Sequence, residues 1–184
     1  MHERRFNREI ERLRDPERIA RLEVERVTNL ALEDLKGVQT VLDVGTGSGL
    51  FTEQFAAKGL QVTGLDANPE MLPVARQYVP LGTFHEGIAE KLPFPDGSFD
   101  LVFMGLLLHE TDDNLATLRE AYRVAVMRLA ILEWPDEEQP FGPPREHRLS
   151  YQKIASLAKR AGFKEVKQIR LENLSLYRID CQIP

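Results

Sequence analysis

Thr40-Val41-Leu42-Asp43-Val44-Gly45-Thr46-Gly47-Ser48-Gly49 is the stretch on which the fold is decided. Its first half is short, β-branched and apolar, without polar alternation, as expected of a strand covered on both faces. Its second half is a turn with glycines at 45, 47 and 49, and Leu50 to Ala56 then reads as a helix closed by Gly59. Glycine permits the positive φ that a tight turn needs and lets a ligand approach the backbone. The start of the following helix offers free N–H groups and a partial positive charge.

The pattern repeats downstream. Gln61 to Asp66 reads as a second strand with an acid at its carboxyl end, and Pro69 to Tyr78 as a helix with Asn68 as its cap. Thr83–Glu86 is a weak third strand and Phe99–Met104 a strong fourth. Asp113–Tyr122 is a helix, Arg128–Trp134 a fifth strand, and residues 135–147 a loop rich in proline, glycine and charge. Tyr151 to Ala161 forms a helix ended by Gly162. Lys164–Arg170 and Leu174–Ile183 read as a closing antiparallel pair.

Upstream, Phe6, Ile10 and Leu13 mark one face of an amphipathic helix, broken at Asp15-Pro16. A second helix carries Ile19, Leu22, Arg26, Leu30 and Leu35 and ends at Gly37. The expected fold class is α/β: one doubly wound, mostly parallel seven-stranded sheet with an antiparallel C-terminal pair and N-terminal helices. Residues 1–36 form those helices, with a lid over the cleft and a helix packed on the sheet edge as equal readings. Residues 37–184 form the ligand-binding domain, with its site beyond the carboxyl ends of the strands.

Composition narrows the function. A chain of 184 residues suits one domain, and its net charge of -5 leaves no basic excess for a nucleic acid. The single cysteine, Cys181, permits no internal disulfide framework. The first residues are charged and lack the apolar stretch of a secretory signal, and no apolar run is long enough for a bilayer. A soluble, cytoplasmic protein without a membrane span is the expectation.

The turn itself discriminates among cofactors. A dinucleotide site reads G-x-G-x-x-G/A and a P-loop needs Gly-Lys-Ser/Thr, and neither is present. Asp43 would repel a pyrophosphate but suits an ammonium group. Asp66 is placed to accept hydrogen bonds from vicinal ribose hydroxyls. Together these features indicate a nucleoside-containing cofactor.

Val41 to Gly49 resembles motif I of the class I S-adenosylmethionine-dependent methyltransferases, and Gly64-Leu65-Asp66 with Asn68 to Leu72 resembles their second signature. Gly87-Ile88-Ala89-Glu90-Lys91-Leu92-Pro93-Phe94-Pro95-Asp96-Gly97-Ser98-Phe99-Asp100-Leu101-Val102 is similar to the third. It is most similar to that of the ubiquinone and menaquinone biosynthesis branch. The resemblance implies a Rossmann-like methyltransferase that uses S-adenosylmethionine, releases S-adenosylhomocysteine and methylates a small-molecule acceptor. It further implies that Asp43 and Gly45 hold the methionine end, with backbone clearance at Gly47 and Gly49. Asp66 would take the ribose, and Ala67 and Met71 the adenine face. Ala89 and Glu90 would meet the polar edge of the adenine, and the Met104 backbone would lie near the methionine moiety.

On the substrate side, His109 is the candidate general base, with a loop-orienting histidine as the alternative. Glu133 and Trp134 end the fifth strand facing the cleft, and Arg148 is a candidate for holding an anionic group. Asn-Pro-Pro-Tyr is absent after the fourth strand, which argues against methylation of exocyclic amines in nucleic acids. Ala125-Val126-Met127-Arg128 replaces the Lys-Pro-Gly-Gly turn usual before the fifth, so that connection must differ. A non-catalytic module binding S-adenosylmethionine or its product fits the same cofactor signatures. A nicotinamide-dependent oxidoreductase fits them poorly.

Overall fold

Strand β1 (Thr40–Val44) is an interior strand, third in a seven-stranded sheet, in the computed structural model, which describes residues 10–181. The other strands are β2 (Gln61–Asp66), β3 (Thr83–Glu86), β4 (Phe99–Gly105), β5 (Ala125–Glu133), β6 (Lys167–Arg170) and β7 (Ser175–Asp180), in the spatial order β3-β2-β1-β4-β5-β7-β6. The first five pair in parallel, and β7 runs antiparallel to both β5 and β6. The chain winds from β1 out to β3, then returns to place β4 on the other side of β1. Strand order therefore reverses between β1 and β4, and a crevice opens beyond their carboxyl ends.

Helices α1 (Pro16–Leu22), α2 (Val24–Leu32), α3 (Leu50–Ala57), α4 (Met71–Tyr78), α5 (Asn114–Val124) and α6 (Tyr151–Ala161) cover the sheet. Side chains alternate across it as the pleat requires. Val41, Leu101, Phe103, Ala130 and Leu132 join Val27, Phe55 and Ala75 in one core layer. Leu42, Val102, Met104, Leu129 and Ile131 join Leu118, Ala121, Ile154 and Ala158 in the other. Each fully buried aliphatic chain contributes roughly 1.5–3 kcal/mol, so both layers are needed.

The N-terminal region departs from the expected single helix between Asp15 and Gly37. Asp15 does cap α1, accepting from the N–H groups of Glu17 and Arg18. The chain then breaks at Glu23, whose φ of 47° is left-handed and whose N–H donates to the Ala20 carbonyl. The Glu23 carboxylate offsets that strain by accepting from Arg26 and from the N–H of Glu172. Phe6 and Ile183 lie outside the described residues.

Two buried arginines hold α2 against the sheet. Arg128 of β5 donates to the carbonyls of Ala31 and Glu33, and Arg178 of β7 to that of Leu30 and to the Glu33 carboxylate. They satisfy carbonyls that a helix C-terminus leaves open and complement its negative end.

The connection into β5 does differ. Helix α5 ends at Val124 and β5 begins at Ala125, with no intervening loop. A register shift between Phe99 and Leu101 in the β4–β5 ladder absorbs the abrupt entry. Strand β6 starts at Lys167 rather than Lys164, because Phe163 is drawn into the core against Tyr122, ring centroids 4.9 Å apart. Among the described residues, no helix is long and apolar enough to cross a membrane.

Candidate functional site

A cavity of about 490 Å³ occupies the crevice where strand order reverses. Its floor is Gly45-Thr46-Gly47-Ser48, with φ of 72° at Gly45 and 52° at Gly47. A Cβ on Gly47 would meet only the Leu13 side chain, at 3.5 Å, so the backbone here is open to a ligand. A Cβ on Gly45 would stand 2.7 Å from Leu107 Cδ1, because the turn is packed against the loop after β4. Gly49 serves a different end. Its absent side chain lets the start of α3 approach the Ala75 backbone of α4, and it does not line the cavity.

Two carboxylates govern the turn. Asp43 is buried beneath it and accepts from the hydroxyls of Thr46 (3.1 Å) and Thr52 (2.5 Å). Burial pushes its pKa up to about 7, against the opposing effect of these hydrogen bonds. Asp43 is screened from the cavity by the turn it fastens. Asp66 ends β2 at the cavity wall, where its Oδ2 accepts from the N–H of Gly47 (2.7 Å) and its Oδ1 from that of Asn68 (2.8 Å). A carboxylate is an acceptor with about four lone-pair sites, the chemistry that a ligand's vicinal hydroxyls require. Ala67 and Met71 continue this wall, and Ala89 and Glu90 face it from the loop after β3. Glu90 also accepts from the N–H of Asp112, which ties that loop to the next.

Beyond β4 the backbone turns sharply at Leu106, a non-glycine residue with φ of 59°. Such a conformation costs about 1–3 kcal/mol and persists only where the surroundings impose it. Here the Leu106 N–H donates to the Leu132 carbonyl (2.8 Å) and Leu107 packs on Gly45. Met104 is fully buried on the α5 face and does not line the cavity; Gly105, Leu106 and Leu107 do.

His109 follows in the same loop and lines the cavity. The Glu133 carboxylate, fully buried at the end of β5, accepts from His109 Nδ1 (2.8 Å), from the His109 N–H (3.1 Å) and from the Trp134 N–H (3.3 Å). Because an ionised carboxylate only accepts, this contact places the proton on Nδ1. Burial pulls the imidazole pKa down, but the Glu133 charge and hydrogen bond outweigh it and hold the pKa above its ordinary value. The pair fixes both the ring and its tautomer.

Arg148 does not face the cavity. Its guanidinium donates to the carbonyls of Pro135, Glu137, Phe141 and Pro143 and to the Gln139 side chain. It is buried as the organising centre of the 135–147 loop, with its donors committed there. The expectation that it holds an anionic ligand is corrected accordingly. Sequence reasoning missed Arg18 of α1, which lines the cavity instead, and the hydroxyl partners of Asp43. Arg18 is one arginine among many in a charged segment, and nothing in its spacing marks it.

Residues 42–126 match the family model for a methyltransferase domain. A demethylmenaquinone methyltransferase of Chlorobaculum parvum is 44% identical over 85 residues, 46% of this chain and 35% of that protein. A malonyl-[acyl-carrier protein] O-methyltransferase of Serratia marcescens is 38% identical over 86 residues, 47% of this chain and 34% of that protein. The matches thus span about a third of these curated relatives' length. The crystal structure of a SAM-dependent methyltransferase from Aquifex aeolicus superposes with a TM-score of 0.81 at 29% identity, covering 94% of this chain and 97% of that one.

Residues 42–126 match a methyltransferase domain, and the fold is that of a SAM-dependent methyltransferase. The matched segment is similar to the corresponding part of demethylmenaquinone methyltransferases from two Chlorobaculum species. For a methyltransferase of this class, the donor set fits the cofactor: an open glycine cradle, a carboxylate at the tip of β2 and an apolar slot at Ala67, Met71 and Ala89. Of the residues expected to hold it, Gly45, Gly47, Asp66, Ala67, Met71, Ala89 and Glu90 gather around one cavity, with His109 at its other end. Asp43, Gly49 and Met104 stand behind its wall.

Proposed function

We propose that this chain transfers a methyl group from S-adenosylmethionine to a small-molecule acceptor. The observation that carries the reading is the single cavity that joins the Gly45–Ser48 cradle and Asp66 at one end to His109 at the other. A cofactor site and a candidate acceptor site therefore share one cavity.

When bound, the cofactor supplies an electrophilic methyl on a sulfonium, whose charge is neutralised as the methyl leaves. Asp66 binds the ribose hydroxyls, while Ala67, Met71, Ala89 and Glu90 enclose the base. Gly45 and Gly47 give backbone clearance beside the methionine end. Asp43 acts through Thr46 and Thr52, holding the turn in shape. Leu106 and Trp134 exclude water from the acceptor end and Leu13 from the glycine turn, and holding the reactants in line contributes much of the rate. His109, its Nδ1–H held by Glu133, keeps Nε2 as the basic atom for an acceptor that must lose a proton on attack. This preorganised pair favours an enzyme over a module that only binds the cofactor.

On this reading residues 10–22 form a movable cover, since Leu13 and Arg18 line the cavity; α2 packs in the core, as does Leu22 at the end of the cover.

Calorimetric titration with S-adenosylmethionine, S-adenosylhomocysteine and NAD tests the cofactor class. Micromolar binding of the first two and none of NAD is expected. The reverse preference would contradict the reading.

A further inference from the structure

Arg18 is a cation on the cavity wall. Its Nη1 donates to the Leu13 carbonyl (2.8 Å), and among the described residues it forms no ion pair. Arg14, Arg123, Arg128 and Arg178 each face a carboxylate (Glu53, Glu120 and Asp96, Asp180, and Glu33), and the buried Arg148 has its donors taken up by loop carbonyls and Gln139. Burial and the neighbouring Arg21 hold the Arg18 pKa below its ordinary value, and the Glu110 charge only partly opposes them. Desolvating a guanidinium without a paired anion is costly, and a ligand anion would remove that cost.

The surroundings define the rest of the ligand. Leu13, Phe51, Leu106 and Trp134 line the same cavity and present apolar or aromatic surface. Arg148 cannot supply the charge, because its donors are held by the 135–147 loop. Arg18 contributes through Coulomb interaction with Glu110, the neighbour of His109. This relates Arg18 to the loop that carries His109, while its hydrogen bond to Leu13 keeps it beside the Gly47 turn.

We propose that the acceptor carries an anionic group, of carboxylate type, on an apolar body, and that Arg18 is the residue that recognises it. The proposal rests on the methyl-transfer reading above and names the substrate class of that site. A guanidinium–carboxylate pair in a desolvated pocket gives directional, charge-assisted hydrogen bonds that a neutral analogue cannot replace.

The test uses sodium benzoate and its uncharged analogue benzamide, each titrated into the full chain saturated with S-adenosylhomocysteine. Benzoate is expected to bind about tenfold more tightly than benzamide, or better. Arg18→Met should erase that preference and Arg18→Lys keep part of it. Both variants should retain the wild-type affinity for S-adenosylhomocysteine and the wild-type Tm. Benzoate binding no better than benzamide, or a preference that survives in Arg18→Met, would overturn the proposal. So would an Arg18→Met variant with normal Tm that loses S-adenosylhomocysteine instead, because the guanidinium would then serve the cofactor's own carboxylate. A wild-type chain that binds no S-adenosylhomocysteine would overturn the cofactor reading, and the acceptor assignment with it.

Discussion

At the residue scale, burial decides the pKa of Asp43 but is outweighed by a charged partner at His109, and both values are raised. Asp43 holds its proton to about pH 7, whereas an unfolded aspartate loses it near 3.9. Between those values the native chain binds more protons than the unfolded one, so stability falls as pH rises through that window. The full shift corresponds to a loss on the order of 4 kcal/mol. Asp43→Asn should raise Tm at pH 8 and lose that advantage by pH 4, read by thermal melts across the range; a pH-independent difference would contradict it. For His109, Glu133 is the source of the raised pKa. Imidazole NMR titration should give a midpoint above about 6.5 in the wild type and a lower one in Glu133→Gln. An unchanged midpoint would remove Glu133 as the positioning residue. Any step using neutral His109 should accordingly gain rate as pH rises through the wild-type midpoint.

At the element scale, the glycine turn, Asp66 and the strands were legible because each has a local cause. Gly45 and Gly47 adopt positive φ, and β1 is an unbroken apolar run. The break at Glu23 was not legible, because its partner Glu172 is distant in sequence and nothing local demands a left-handed glutamate. Arg128, Arg178 and Arg148 escaped for the same reason: an arginine's donors are committed by distant or irregular carbonyls that composition does not reveal. Arg148→Met should cost about 3 kcal/mol by leaving several loop carbonyls unsatisfied. Urea unfolding measures that loss, and a change below about 0.5 kcal/mol, typical of a neutral surface substitution, would contradict this role for Arg148.

At the scale of the whole molecule, the reversal of strand order between β1 and β4 places the cradle, Asp66 and the His109–Glu133 pair around one opening. The two core layers hold that opening rigid from both faces, with α2 stapled into one of them by Arg128 and Arg178. Amide exchange should therefore protect α2 as strongly as β1 and β4, while residues 10–22 exchange faster and slow on addition of S-adenosylhomocysteine. Equal protection of both segments without ligand would argue against a movable cover. The sequence marks Gly45, Gly47, Asp66, Ala67, Met71, Ala89 and Glu90, which do meet at the cavity. It does not distinguish residues that touch the cavity from those that, like Asp43 and Gly49, shape it from behind, since both lie in the same motif.

The central claim is that the cavity at this reversal is a nucleoside-cofactor site anchored by Asp66. The dissociation constant of S-adenosylhomocysteine for the wild type and for Asp66→Ala tests it most directly. The account predicts micromolar binding by the wild type and a loss of at least about tenfold in the variant, about 1.4 kcal/mol. Equal affinity in the two, or no binding by the wild type, would contradict it.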